Sequence, residues 1–245
     1  LYLKKIFIII YTIQKINYIR KMKILSWDVG IYNLSYCILE KNKENNEIKI
    51  IDWDIVNLVD NDEMKKNRSL IFENIPRKLH EKPQLLDVDI VVIENQPSLK
   101  NPQMKSIQMI LYSYFVILGK VIGNGDKNTS YIDKIDFCSA SNKLKIYDGP
   151  EIILQEKPNR KKQNVISINS SDETIVKENV VLVEKTKNKK PIIKYADKKR
   201  LAIEHAKYFV EKDEQFKDFF NNHKKKDDLA DSYLQGLYYI KHIKK

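Results

Sequence analysis

The sequence predicts an α/β domain on a mixed five-stranded sheet, three antiparallel strands followed by two parallel ones, flanked by helices. Three observations carry this expectation. Apolar segments of strand and helix length follow one another in the order β-β-β-α-β-α-β, then an insertion, then helices. With 245 residues the chain is long enough for one sizeable domain and an insertion. Four carboxylates, Asp28, Glu94, Asp228 and Asp231, stand at the ends of apolar segments, where a globular fold rarely puts a charge.

Residues 23–29 form the first strand, closed by Asp28 and a turn at Gly30. Residues 33–40 and 47–57 are the second and third strands, joined through the polar stretch 41–46. Between 61 and 80, Met64, Leu70, Ile71, Ile75 and Leu79 recur at helical spacing, and Pro83 ends the segment. The continuous apolar run 88–94 is a central strand buried on both faces. Asn101-Pro102 opens a long helix to about Gly119, its stripe formed by Met104, Ile107, Gln108, Leu111, Tyr114, Phe115 and Leu118. A fifth strand covers 131–139, and helices are expected at 198–210, 214–220 and 226–243.

An isolated carboxylate at the end of a buried strand is costly unless a cation meets it. Four of them from distant segments point to a shared cation, most simply magnesium, and so to chemistry on phosphate. Asp228 and Asp231 are spaced i, i+3 and share one helix face; Asp227 is turned about 100° away and suits a helix cap or dipole partner. Singly, each carboxylate is explicable as a cap or turn residue. Jointly they fit the outline of the ribonuclease H fold, in which the first and fourth strands end beside the C-terminal helix.

The formal net charge is +11, which suits a polyanionic partner. Residues 141–200 carry 15 Lys and Arg against 8 Asp and Glu, most of that excess. Lys143, Lys145, Lys187, Lys189, Lys190, Lys198, Lys199 and Arg200 are therefore candidate phosphate contacts, with Arg160, Lys161, Lys162 and Lys185 beside them. Cys37 and Cys138 lie in apolar runs with no CxxC pair, so reduced buried thiols are expected rather than a zinc site. His223, just before the acidic pair, reads as a helix-end residue with no catalytic role. Residues 1–21 contain an apolar run shorter than the roughly 20 residues a bilayer span needs. They are expected to be an upstream or disordered extension, leaving 22–245 as the domain, 145–193 as its basic insertion, and no membrane partner.

Three separated segments resemble a known family. Ser26-Trp27-Asp28-Val29-Gly30-Ile31-Tyr32-Asn33-Leu34-Ser35, Ile93-Glu94-Asn95-Gln96-Pro97 and Lys225-Lys226-Asp227-Asp228-Leu229-Ala230-Asp231-Ser232 are similar to motifs of the Holliday junction resolvases of poxviruses and other large DNA viruses, related to fungal mitochondrial resolvases and bacterial RuvC. The segment 139–145 and the Lys-Lys-Arg run at 198–200 resemble the same group. The resemblance implies a homodimeric, intracellular endonuclease that cuts four-way DNA junctions with two magnesium ions, manganese substituting. It assigns catalysis and metal binding to Asp28, Glu94, Asp228 and Asp231, and places the activity, if viral, where viral DNA replicates. The loop after Glu94, residues 96–100, has no aromatic ring to stack on opened bases. A nuclease for other branched DNA or RNA–DNA hybrids, or a junction-binding protein without catalysis, are the alternatives; retention of all four carboxylates speaks against the latter. Sugar-kinase and actin-like proteins share an Asp-x-Gly start, but need a second glycine-rich phosphate loop, and this chain has six glycines in all.

Overall fold

Side-chain alternation along the strands sets the architecture. The computed structural model describes residues 21–99, 101–122, 131–152, 154 and 195–243. The strands are β1 (Lys21–Val29), β2 (Asn33–Asn42), β3 (Ile48–Asn57), β4 (Ile90–Glu94) and β5 (Lys134–Cys138). They form one sheet in the order β3-β2-β1-β4-β5. The pairs β1–β2 and β2–β3 are antiparallel, and β1–β4 and β4–β5 parallel, the mixed sheet that the sequence predicts. Lys21, inside the segment expected as an extension, already pairs with Asn42 in the ladder.

Along β1, Leu25, Trp27 and Val29 point to one face and Ile24, Ser26 and Asp28 to the other. The first set packs under α2 (Arg68–His80) and α3 (Pro102–Phe115) through Ile71, Ile75, Leu79, Ile107, Leu111 and Phe115. The opposite face is covered by α4 (Tyr195–Val210), α5 (Glu214–Asn222) and α6 (Lys226–His242). The second face carries Asp28 and Glu94 at the strand ends, and α6 packs over it. Both cysteines are buried and free, as expected.

Three local features depart from the sequence reading. The helix expected over 61–80 is broken into α1 (Asp62–Lys66) and α2 because Asn67 is extended and its Oδ1 accepts from the Ser69 amide at 3.1 Å, capping a new helix. The helix α3, capped by Asn101, continues as a π turn over Val116–Ile122. By length and composition that helical stretch could cross a bilayer, but Ile107, Leu111 and Phe115 bury one side of it in the core. The fifth strand begins only at Lys134, since the Ile132 and Asp133 amides donate to Gly119 and Asp89 carbonyls instead of a strand partner's.

Two contacts seat α6 on the sheet. Trp53 of β3 stacks on Phe220 (centroids 5.1 Å apart, planes 9° from parallel), and its Nε1–H donates to the Leu229 carbonyl at 3.1 Å. Gly236 lets the helix approach closely: a Cβ there would lie 2.9 Å from Leu39 Cδ1 and 3.1 Å from Ser26 Cβ. Gly236→Val is expected to lift α6 from β1 and cost about 1–3 kcal/mol in denaturant unfolding. An unchanged midpoint would show that this approach is slack.

Candidate active site

The parallel pairing of β1 with β4 puts Trp27 opposite Ile93, so the next residues, Asp28 and Glu94, emerge side by side at one sheet end. Ile90, Val92 and Glu94 share the face that carries Ile24, Ser26 and Asp28. Above them, α6 is held by a polar seam. The hydroxyls of Ser35 and Ser232 lie 2.8 Å apart, and Gln235 Nε2 donates to Ser26 Oγ (3.1 Å) and to the Trp27 carbonyl (3.0 Å). Asp231, next to Ser232, is thereby brought over Asp28 and Glu94. Asp228 lies one turn earlier, close enough for the Asp28 charge to act on it.

A lysine stands at the meeting point. Lys143 Nζ lies 2.7 Å from Asp28 Oδ1, 3.1 Å from Asp231 Oδ2 and 3.2 Å from Glu94 Oε1, and its side chain is only 6% exposed. It is carried by a 3-10 helix, Ala140–Ile146, which follows β5 directly and is capped by Ser139. Expected as a DNA contact, Lys143 is instead buried inside the carboxylate cluster. Burial alone would pull its ammonium pKa down, but Asp28, Asp231 and Glu94 outweigh that and hold it above the usual lysine value.

The carboxylates respond to the same environment. Burial, opposed by Lys143 and reinforced by Asp28 and Asp231, pushes Glu94 up to about 8. Burial, opposed by Lys143 and reinforced by Asp28, pushes Asp231 up to about 6. Asp228 is raised by burial and by its neighbours Asp227 and Asp28. Asp227 behaves otherwise: burial would raise it, but an ion pair with Lys199 at 2.5 Å prevails and leaves it below the usual carboxylate value. That pair ties α4 to the start of α6, a contact the sequence reading did not foresee, while Asp227 also stands in the first turn of α6, where a dipole partner is expected.

Sequence reasoning missed a glutamine relay behind Glu94. Gln96 Nε2 donates to Glu94 Oε2 at 2.8 Å, and the Gln96 amide donates to Gln108 Oε1 at 2.8 Å. Both glutamines are buried. The available signal was Gln108, a lone amide within the apolar stripe of α3.

The donor set fits magnesium. All four groups are carboxylates, the oxygen ligands that magnesium prefers, and a cation, the Lys143 ammonium, already occupies the point where three of them converge. Among the described residues, no three His, Cys, Asp or Glu side chains are close enough to hold an ion as they stand.

Of the other expected DNA contacts, Lys145 and Lys198 are exposed, Lys199 is engaged with Asp227, and Arg200 reaches Asp197 at 3.4 Å. Lys187, Lys189, Lys190, Arg160, Lys161, Lys162 and Lys185 lie outside the described residues, as do most of the basic insertion and residues 1–20. His223 caps α5, its Nδ1 accepting from the Lys225 amide. In the loop after Glu94, Leu99 is 99% exposed.

No protein-family profile matches the chain. An uncharacterised protein of Acanthamoeba polyphaga mimivirus is 34% identical over 168 residues, 68% of this chain, and the chain spans 32% of that protein's length. Among solved structures, fowlpox virus resolvase in complex with Holliday junction DNA superposes with a TM-score of 0.51 at 19% identity, covering 91% of this chain and all of the resolvase. The yeast mitochondrial Holliday junction resolvase Ydc2 gives a TM-score of 0.52 at 16% identity, covering 89% of this chain and 79% of Ydc2. The chain has the resolvase fold. This is the ribonuclease H-like arrangement that strand order and carboxylate placement imply, and the resolvase fold brings Asp28, Glu94, Asp228 and Asp231 to one end of the sheet.

Proposed function

We propose that the chain is a divalent-metal-dependent endonuclease that hydrolyses phosphodiesters in branched DNA, with the four-way junction as its substrate. One observation carries the reading: carboxylates from β1, β4 and α6 converge at a sheet end on a resolvase fold, around a buried cation. Two magnesium ions, when bound, would neutralise charge on the phosphate and make water nucleophilic. Asp28, fixed on β1, suits the shared ligand, with Glu94, Asp228 and Asp231 completing the set. Gln96 aims the Glu94 carboxylate, and the Ser35–Ser232 and Gln235 contacts hold α6 in register. Lys145 and Lys198 supply charge for the duplex backbone, positioning it without reading bases. Cleavage assays on synthetic junction, flap, RNA–DNA hybrid and linear duplex test the reading. Paired nicks confined to the junction are expected; preference for linear duplex or activity without a divalent ion defeats it.

Paired cuts in a two-fold symmetric junction require two sites, and we assign the symmetry to a homodimer. The exposed apolar face of α3 and its π turn is our choice of interface. Ile117 and Val121 are 52% and 67% exposed, and a groove of about 810 Å³ beside them is lined by Pro76, Met109, Ile110 and Tyr114. Ile117→Glu with Val121→Glu is expected to give a monomer in sedimentation at micromolar concentration, while the native chain sediments as a dimer. A native monomer, with or without junction DNA, rejects the assignment.

Metal binding must compete with protons. Glu94 keeps its proton up to about pH 8 and Asp231 up to about pH 6, so divalent affinity rises with pH across that window, by about tenfold per unit for each proton displaced. Without metal the sign for stability is opposite. The unfolded chain releases the Glu94 proton near 4.5 while the fold retains it, so stability falls as pH climbs from there toward 8. Thermal melts are expected to show a larger manganese-induced rise at pH 8 than at pH 6. An equal or smaller rise at pH 8 contradicts this site.

A further inference from the structure

Lys143 is the group of the site for which the proposed chemistry gives no reason. Lysines are almost never this deeply buried unless paired, and Lys143 is paired three times over, with Asp28, Asp231 and Glu94. It belongs to none of the elements that carry the carboxylates. Its 3-10 helix is anchored separately, by the Ser139 cap and by Ile146, which lies in the same apolar cluster as Leu229 and Leu234 of α6.

The ammonium and a metal ion would draw on the same three carboxylate oxygens. Magnesium sits about 2.0–2.1 Å from carboxylate oxygens. The three oxygens have Nζ as their common neighbour at 2.7, 3.1 and 3.2 Å. An ion coordinated by these oxygens would compete with the ammonium for them and would be repelled by its charge. Without any cation, the charges of Asp28 and Asp231 would repel across this partly buried site, more so once Glu94 ionises. The ammonium thus neutralises the carboxylates in the way a bound metal would.

We propose that Lys143 is a displaceable resident counter-ion, which holds Asp28, Glu94 and Asp231 together in the metal-free protein and must withdraw before a divalent ion can load. This rests on the metal-dependent reading above. It makes loading an exchange of one cation for another, carried by the turn that follows β5, and sets a threshold of metal concentration below which the site stays closed.

The test needs neither DNA nor cleavage. Calorimetric titration of the full chain with manganese is expected to show Lys143→Met and Lys143→Gln binding at least tenfold more tightly than the native protein, with Lys145→Gln unchanged. Equal or weaker binding by both Lys143 variants overturns the proposal. The native protein supplies a reading that does not depend on a variant folding. Amine labelling followed by mass spectrometry is expected to find Lys143 protected without metal and labelled at saturating manganese, while Lys145 is labelled in both. Lys143 still protected at saturation overturns the exchange but leaves metal binding intact. If native protein and variants alike take up no manganese, the metal-dependent reading fails and the exchange fails with it.

Discussion

Asp28→Asn is expected to remove cleavage while leaving the fold and junction binding in place. The substitution keeps the side chain's shape on β1 and takes away one charge from a cluster of like charges. Metal-assisted stabilisation of a phosphoryl transition state is worth several kcal/mol, so losing the shared ligand should cost about 10³-fold or more in rate. Stability should fall modestly, because the buried Lys143 ammonium loses the charge of its shortest partner. Lys143 loses its shortest partner but retains Asp231 and Glu94. Single-turnover cleavage and a gel-shift titration on the same junction separate the two effects. Cleavage within tenfold of native, or loss of binding together with cleavage, would remove Asp28 from the catalytic set.

Trp53→Ala should give the largest loss of stability. Its ring is buried and touches Phe216, Phe219, Phe220 and Tyr233, so it joins β3 to α5 and α6. Truncating such a residue costs about 3–5 kcal/mol, roughly a 6–20 °C fall in melting temperature for a domain of this size. Function should suffer separately, since Trp53 Nε1 holds the Leu229 carbonyl, between Asp228 and Asp231. Trp53→Phe keeps most of the packing and loses that bond, a cost of about 1 kcal/mol. Its activity should fall further than its stability. Calorimetry with cleavage rates well below the melting point distinguishes the two, and a Trp53→Ala melt within a degree or two of native would contradict the packing.

Strand-borne features were the most legible in the sequence. Asp28 and Glu94 could be placed because an apolar run with period two fixes which face its last residue takes, and parallel neighbours bring those ends together. Asp228 and Asp231 followed from i, i+3 spacing, and the same geometry set Asp227 apart. Local competition was harder to read: helical spacing over 61–80 hides that Asn67 caps a new helix. Lys143 was the furthest from view. In sequence it is one lysine beside another, Lys145, in a basic region, and only tertiary contact across 115 residues to Asp28 separates a buried counter-ion from a surface phosphate contact. Gln96 and Gln108 were hidden likewise, because a glutamine's partner is set by packing, not by its neighbours.

The seam between Ser35 and Ser232 joins residues 197 apart, and this bears on how the protein is made. During synthesis the sheet segments emerge long before α6, and until Lys226–His242 leaves the ribosome the nascent chain lacks Asp228, Asp231 and the helix that closes over Asp28. A chain that stops before Lys226 lacks two of the four carboxylates of the proposed site. On the proposed reading, the metal-binding set is completed only when α6 docks on the sheet.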